Sequence, residues 1–357
     1  MKPIFYTAFI LTLCTWMAWR WPDVDAQSMI NEKEGKEKMV LTTVSSLAEI
    51  LEALGDTPLP HKVQTEMPLV SAAVGEELVK SGFSRGPGGL KMTKQSKHFV
   101  CTSCHNIEKE DPDLSVSDPQ ARLLYVKDKG LPFLQGTTLY GAVNRTSFYN
   151  GDYRKKYGDL VSEAQNDIRS AIQLCAEECA QGRTLRDWEI ESILAYLWTI
   201  DLKVKDLSLK EKEWNALDQA LIGNGNKQEM INLLKQKYLA GSPATFITPP
   251  EDRKGGYPYE GNAENGKLIY ELSCLHCHEN GRYAFYRLDE STFSFKHLEH
   301  HFPRYTRYSV YQVARYGTSP LNGKRAYMPN YTQEKMSNQQ MEDLRAYVAQ
   351  MLNSPAH

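Results

Sequence analysis

At 357 residues the chain is long enough for two domains with cores of their own. Its 42 lysines and arginines against 44 aspartates and glutamates leave a formal charge of -2, which excludes a bulk electrostatic case for nucleic acid and makes any charged docking surface a local one. The composition fits a soluble globular protein carrying seven cysteines.

The N-terminus reads as an export signal over 1–26. Lys2 supplies the charge, Ile4 to Trp19 the apolar run, and Val24-Asp25-Ala26 the small residues for cleavage before Gln27. The alternative is an uncleaved anchor, for which the run is slightly short; only in that form is the protein membrane-associated. Cleavage removes Cys14 and leaves six cysteines in the periplasm, an oxidising compartment that permits a disulfide.

A helical extension follows over 27–65, with Val40, Val44, Leu47, Leu51 and Leu54 at helical spacing before Gly55. It is expected to pack on the first domain, 66–201. A second helix, around Val70 to Lys80, leads through Gly82 and the Arg85–Gly89 turn to Cys101-Thr102-Ser103-Cys104-His105. Two thiols three positions apart can form thioethers to the two vinyl groups of a haem, and the adjacent imidazole then ligates the iron. The motif recurs as Cys274-Leu275-His276-Cys277-His278. Paired CxxC motifs of a zinc site usually lie about 15–20 residues apart, whereas 169 residues separate Cys104 from Cys274. Two covalently bound c-type haems are therefore expected, with His105 and His278 as iron ligands.

Between Gly130 and Gly158 the chain is rich in Gly, Tyr, Asn and Arg and reads as a loop over the first haem. Arg145, Arg154, Lys155 and Lys156 make it locally cationic, which serves haem propionates, solvation or a bound anion. Ile168, Ile172, Cys175 and Cys179 are then spaced 4, 3 and 4, placing both thiols on the apolar stripe of a helix that Gly182 ends. Thr184 and Asp187 resemble a capping box that opens a further helix with Ile190, Ile193, Leu194 and Leu197 inward. Residues 202–256 are charged and weakly periodic, a connector with one amphipathic helix near Met230 to Leu239.

In the last segment, Asn262 to Tyr270 and Tyr327-Met328-Pro329-Asn330-Tyr331 resemble the N-terminal helix and the methionine loop of class I cytochromes c. A capping box at Ser337 to Gln340 opens a closing helix carrying Met341, Leu344, Val348 and Leu352. Met328 is the expected distal ligand of the second haem, with Met336, His297, His300 and His301 as rivals. The fold expected is mainly α: two class I cytochrome c-like helical domains, 66–201 and 257–357, each enclosing a covalently attached haem and joined by the 202–256 connector.

No methionine stands between His105 and the end of the first domain's closing helix. Cys175 and Cys179 are the core-facing candidates there, and a thiolate stabilises ferric iron and lowers the potential. Ligation by Cys175, ligation by Cys179, and a disulfide or two idle thiols all stay open. The block Ile168 to Cys175, Gly182-Arg183-Thr184-Leu185 and Glu191 to Tyr196 resembles the dihaem thiosulfate dehydrogenases and, more loosely, the dihaem subunit of the sulfur-oxidising Sox complex. The resemblance implies Cys175 as distal ligand of a catalytic haem, a small sulfur anion such as thiosulfate as substrate, and a second haem relaying electrons to a cytochrome or respiratory complex. Arg145, Arg154 or Arg169 would hold the anion. The chain departs from that family after Cys175, reading Glu178-Cys179-Ala180-Gln181-Gly182 where members carry Arg-Ser-Met-Asn-Gly. A non-enzymatic dihaem carrier is the alternative.

Overall fold

The computed structural model describes residues 41–86, 89–318 and 327–353; the expected export signal and the start of the extension lie outside them. Among the described residues there is no strand, only three isolated bridges. The helices are α1 (Leu47–Leu54), α2 (Ala72–Ser81), α3 (Pro119–Lys129), α4 (Gly151–Tyr157), α5 (Ile168–Leu174), α6 (Asp187–Thr199), α7 (Glu211–Leu221), α8 (Lys227–Gln236), α9 (Ala263–Ile269), α10 (Leu275–His278), α11 (Thr292–His301), α12 (Val310–Tyr316) and α13 (Asn338–Asn353). None of them is long and apolar enough to cross a membrane.

Local chemistry explains where these helices start and stop. Ser46, Ser71, Asp118, Asn262 and Ser291 accept backbone N–H bonds at their N-termini, and Gly55, Gly82 and Gly130 close helices in the left-handed conformation. The box at Ser337 forms reciprocally: its N–H donates to Gln340 Oε1 at 2.9 Å, and its Oγ accepts from the Gln340 N–H at 3.1 Å. The box expected at Thr184 does not form. Helix α6 begins at Asp187, where the Glu189 carboxylate accepts the Arg186 N–H at 2.9 Å and is held in a fork by Arg183.

Two helix pairs carry the architecture, and they are built alike. Helix α2 crosses α6 at Gly75, and α9 crosses α13 at Gly266. A Cβ at Gly75 would lie 1.8 Å from the Ser192 carbonyl oxygen, and one at Gly266 would lie 1.9 Å from that of Asp343. One turn further on, Tyr196 and Tyr347 flank the two crossings through their Cβ atoms. The entering residue is tied the same way in each pair, with the Ser71 N–H on Ser192 Oγ at 3.3 Å and the Asn262 N–H on Asp343 Oδ1 at 2.8 Å. Only glycine lets two backbones approach this closely.

Three apolar cores result. The first gathers α2, α5 and α6 through Leu78, Val79, Ile168, Ile193, Leu194 and Leu197. The last gathers α9, α11, α12 and α13 through Ile269, Phe295, Tyr311 and Leu344, and it takes in Leu123, Val126 and Phe133 from α3 and the turn after it. A third core joins the extension to the connector: Leu47, Ile50 and Leu54 of α1 pack on Leu217 and Ala220 of α7 and on Met230, Ile231 and Leu234 of α8. The connector thus holds two helices where its periodicity suggests one. Its charges line the outer faces, and its few apolar residues close on α1, whose Leu47 N–H donates to the Leu202 carbonyl at 2.8 Å.

A buried ionic cluster ties the segment after the first CxxCH to the approach of α13. Glu110 is fully buried; it accepts from Lys335 Nζ at 2.9 Å, from Asn106 Nδ2 at 2.9 Å and from the Thr138 N–H at 3.1 Å, with Arg122 Nη1 at 3.6 Å. The Arg122 guanidinium also donates to the Lys335 and Leu134 carbonyls and stacks on Phe133 at 4.0 Å.

Candidate haem-binding sites

The two CxxCH peptides are presented differently. The first is a 3-10 turn over Cys101–Ser103, joined to α2 by an intervening loop rather than continuing it. The second continues α9 directly, through a π-turn over Tyr270–Cys274 into α10. Each histidine has its Nδ1 fixed by a main-chain carbonyl: His105 on Thr137 at 2.6 Å and His278 on Tyr286 at 2.7 Å. That bond sets the tautomer and leaves Nε2 as the ligating nitrogen. Burial lowers the pKa of both imidazoles and so favours the neutral form a metal requires. Gly136 completes the first cradle, because a Cβ there would stand 2.6 Å from His105 Cε1 and Nδ1. Two thiols and one oriented imidazole at each peptide fit a covalently attached haem.

The peptides also touch each other. The His276 side chain, between the two cysteines of the second motif, lies near Ser103 of the first, and its buried Nε2 has no hydrogen-bond partner. Nearby, the Phe133 N–H donates to the Leu272 carbonyl at 2.9 Å.

Met328 is half-buried against the C-terminal core. Its loop is pinned to Thr318, whose Oγ1 accepts the Met328 N–H at 2.8 Å and whose N–H donates to the Met328 carbonyl at 2.9 Å. The rivals are otherwise engaged. Met336 is core, with its carbonyl accepting from Arg315 at 2.7 Å. His297 and His301 stack on one another at 4.1 Å along α11, and His300 meets Arg304.

Cys175 and Cys179 do not sit on a regular helix. After α5 the chain widens into a π-turn over Cys175–Cys179, closed by the Ala180 N–H on the Cys175 carbonyl at 2.7 Å. Both thiols are free, so the disulfide left open by the sequence is not formed here. Cys175 is half-buried and Cys179, which the spacing places inward, is exposed. The nearby Cys175 thiol, and after it Tyr149 and Tyr327, pull the Cys179 pKa down, while Cys179 and burial push that of Cys175 up. Tyr327 directly precedes Met328 and packs its ring edge-on to Phe99 at 6.0 Å. Nothing in the local pattern assigns either tyrosine a role, although Tyr327 stands in the methionine loop and Tyr149 in an aromatic-rich one.

The cations expected to hold an anion are committed elsewhere. Arg145 donates to the Thr138 and Tyr140 carbonyls at 2.9 and 3.4 Å. Arg169 grips Glu191 at 2.5 and 3.0 Å and the Lys62 carbonyl at 2.7 Å. Arg154 pairs with Asp159, Lys155 with Asp152 at 2.8 Å, and Lys156 lies 4.1 Å over the Phe246 ring.

Residues 261–348 match the family model described as cytochrome C oxidase, cbb3-type, subunit III. No curated protein and no solved structure matches the chain. The matched span contains the Gly266 crossing, the second CxxCH and Met328, and it is a c-type cytochrome domain, whose chemistry is electron transfer through a covalently bound haem.

Proposed function

We propose that the chain is an exported dihaem cytochrome c that passes electrons between redox partner proteins, with the first haem at Cys101, Cys104 and His105 and the second at Cys274, Cys277 and His278. The observation that carries this reading is the duplicated geometry. In both halves a glycine-crossed helix pair accompanies a CxxCH whose histidine is oriented through Nδ1. Proximity of the two peptides, with His276 near Ser103 and the Phe133 N–H on the Leu272 carbonyl at 2.9 Å, supports direct exchange between the haems.

Distal ligation divides their roles. Met328 serves the second haem, where a thioether raises the potential; Cys175 serves the first, where a thiolate lowers it. Electrons then enter at the first haem and leave at the second. Export is supported by the Ile4–Trp19 run and by covalent haem attachment.

Thiosulfate oxidation at the first haem is the enzymatic alternative, and it finds less support because Arg145 and Arg169 are bound to carbonyls and to Glu191. The haem-loaded protein is expected to show a low-spin thiolate EPR signal that Cys175→Met abolishes, and to give no thiosulfate-dependent reduction of an external acceptor. A signal that survives the substitution removes Cys175 as ligand. Steady thiosulfate-driven reduction replaces the carrier with the enzyme.

A further inference from the structure

Aromatic side chains reach solvent mainly in one part of the chain. Among the described residues eight phenylalanines and tyrosines are exposed, and Phe285, Tyr286, Phe293, Tyr305, Tyr308 and Tyr316 account for six of them, with Phe285 at 80% and Phe293 at 74%. Apolar groups scattered singly over a surface need no explanation, whereas a contiguous set marks an interaction site. Contacts link this one from Tyr286 to Tyr305. The Tyr286 ring lies 4.6 Å from His297, which stacks on His301, and His300 beside them meets Arg304. Next to Arg304, the Tyr305 ring carries the Arg253 guanidinium at 5.2 Å.

Cations stand among these rings. Arg282, Arg287, Lys296, Arg304 and Arg307 are all exposed, and among the described residues none of them pairs with a carboxylate. Arg282 and Arg307 lie over Tyr283 and Tyr308 instead, at 5.1 and 4.8 Å. The same stretch holds three acids, Asp289, Glu290 and Glu299, and Asp289 is engaged by Ser291 and Ser294 at the start of α11. On a chain with a formal charge of -2 this face is locally positive, and tyrosine and arginine are among the side chains that carry most energy at protein interfaces.

The face adjoins the second haem. The Tyr286 carbonyl is the group that fixes His278 through Nδ1 at 2.7 Å, and the ring of the same tyrosine packs on α11. We infer that an acidic redox protein docks here and takes electrons from the second haem; the inference deepens the carrier reading and rests on it for the direction of transfer. One electron passes at each encounter: the ferrous haem becomes ferric, the acceptor's metal is reduced, and no bond forms or breaks. A lipid surface fits less well, because it takes an amphipathic helix with its apolar face turned outward, whereas α11 buries Phe295 in the core. Charges at the rim of a protein contact act mainly on the rate of encounter and its salt dependence.

The test follows the oxidation of fully ferrous, haem-loaded protein by stopped flow, with oxidised plastocyanin, an acidic blue-copper protein, as the probe. The wild-type rate is expected to fall as ionic strength rises. Lys296→Glu combined with Arg307→Glu is expected to lower it by about tenfold at low ionic strength. Lys212→Glu combined with Lys227→Glu, the same charge change on exposed residues of α7 and α8, lowers it far less. Tris(phenanthroline)cobalt(III), a small cation, oxidises the Lys296 and Arg307 variant at least as fast as the wild type; a variant slowed with both oxidants has a damaged haem and overturns the assignment. A plastocyanin rate that the double reversal leaves unchanged also overturns it. So does a salt-independent rate in protein that pellets with phosphatidylglycerol vesicles, which gives the face to a membrane. Haems per chain are counted on the same sample from the pyridine haemochrome. A rate that depends on Lys296 and Arg307 in protein with one haem supports the docking face and counts against the dihaem reading; two haems with a rate that ignores both residues count the other way.

Discussion

Glu110→Gln is expected to lower the unfolding free energy by about 3–5 kcal/mol, the usual cost of removing one member of a buried ionic group and leaving the others uncompensated. The residues left behind are Lys335 and Arg122, which are almost fully buried and come from distant parts of the chain. Urea unfolding of the variant checks this, and a midpoint equal to the wild type's contradicts it. The same carboxylate shapes the acid limb of stability. Burial alone would raise its pKa, but Lys335, Arg122 and the Asn106 bond overcome that and hold it at about 2, against an ordinary value of 4.5. A depressed folded value means the stabilisation is present above about pH 4.5 and is lost as pH falls toward 2. Burial lowers the pKa of Lys335, a cost carried while its ammonium is charged and relieved only as pH rises through that lowered pKa, so it does not change across the acid range. Glu110 therefore shares the acid limb with other carboxylates whose pKa values are lowered, Glu191 and Asp167 among them, and Glu110→Gln makes it shallower.

Gly266→Ala should damage one half of the molecule selectively. A methyl group 1.9 Å from the Asp343 carbonyl cannot be accommodated without moving α9 off α13. Overpacking of this kind costs about 1–3 kcal/mol or more, and α9 runs straight into the second CxxCH. The expected result is a loss of stability together with a shift in the spectrum and potential of the second haem alone. Gly75→Ala is its counterpart for the first half. Spectra of the two variants, each compared with the wild type, check whether the halves respond separately; identical changes from both substitutions contradict the duplicated plan.

These two effects differ in how far the sequence shows them. The helix-forming stretches, the Ser337 cap and both CxxCH motifs are local patterns, legible because capping and thioether chemistry require fixed residue types at fixed spacing. Helix α7 was hidden because its few inward residues, Leu217 and Ala220, make a weak periodic signal until α1 covers them. Lys335 stands 225 residues from Glu110 and 213 from Arg122, and nothing in their neighbourhoods marks the three as partners. The spacing reads the thiols as a core-facing pair, whereas Cys179 is exposed and Cys175 half-buried, because the π-turn that carries them is a product of tertiary folding that takes them off the helical stripe. Arg145 and Arg169 show the opposite error: a positive residue near a haem motif suggests an anion site until its hydrogen bonds are seen.

The central claim is that both CxxCH peptides carry haem, and intact mass of the haem-loaded protein under denaturing conditions tests it most directly. The account predicts a chain heavier than its polypeptide by two haems, reduced to one by Cys101→Ala with Cys104→Ala and likewise by Cys274→Ala with Cys277→Ala. A wild-type mass increased by a single haem, lost only with the second pair, would contradict it.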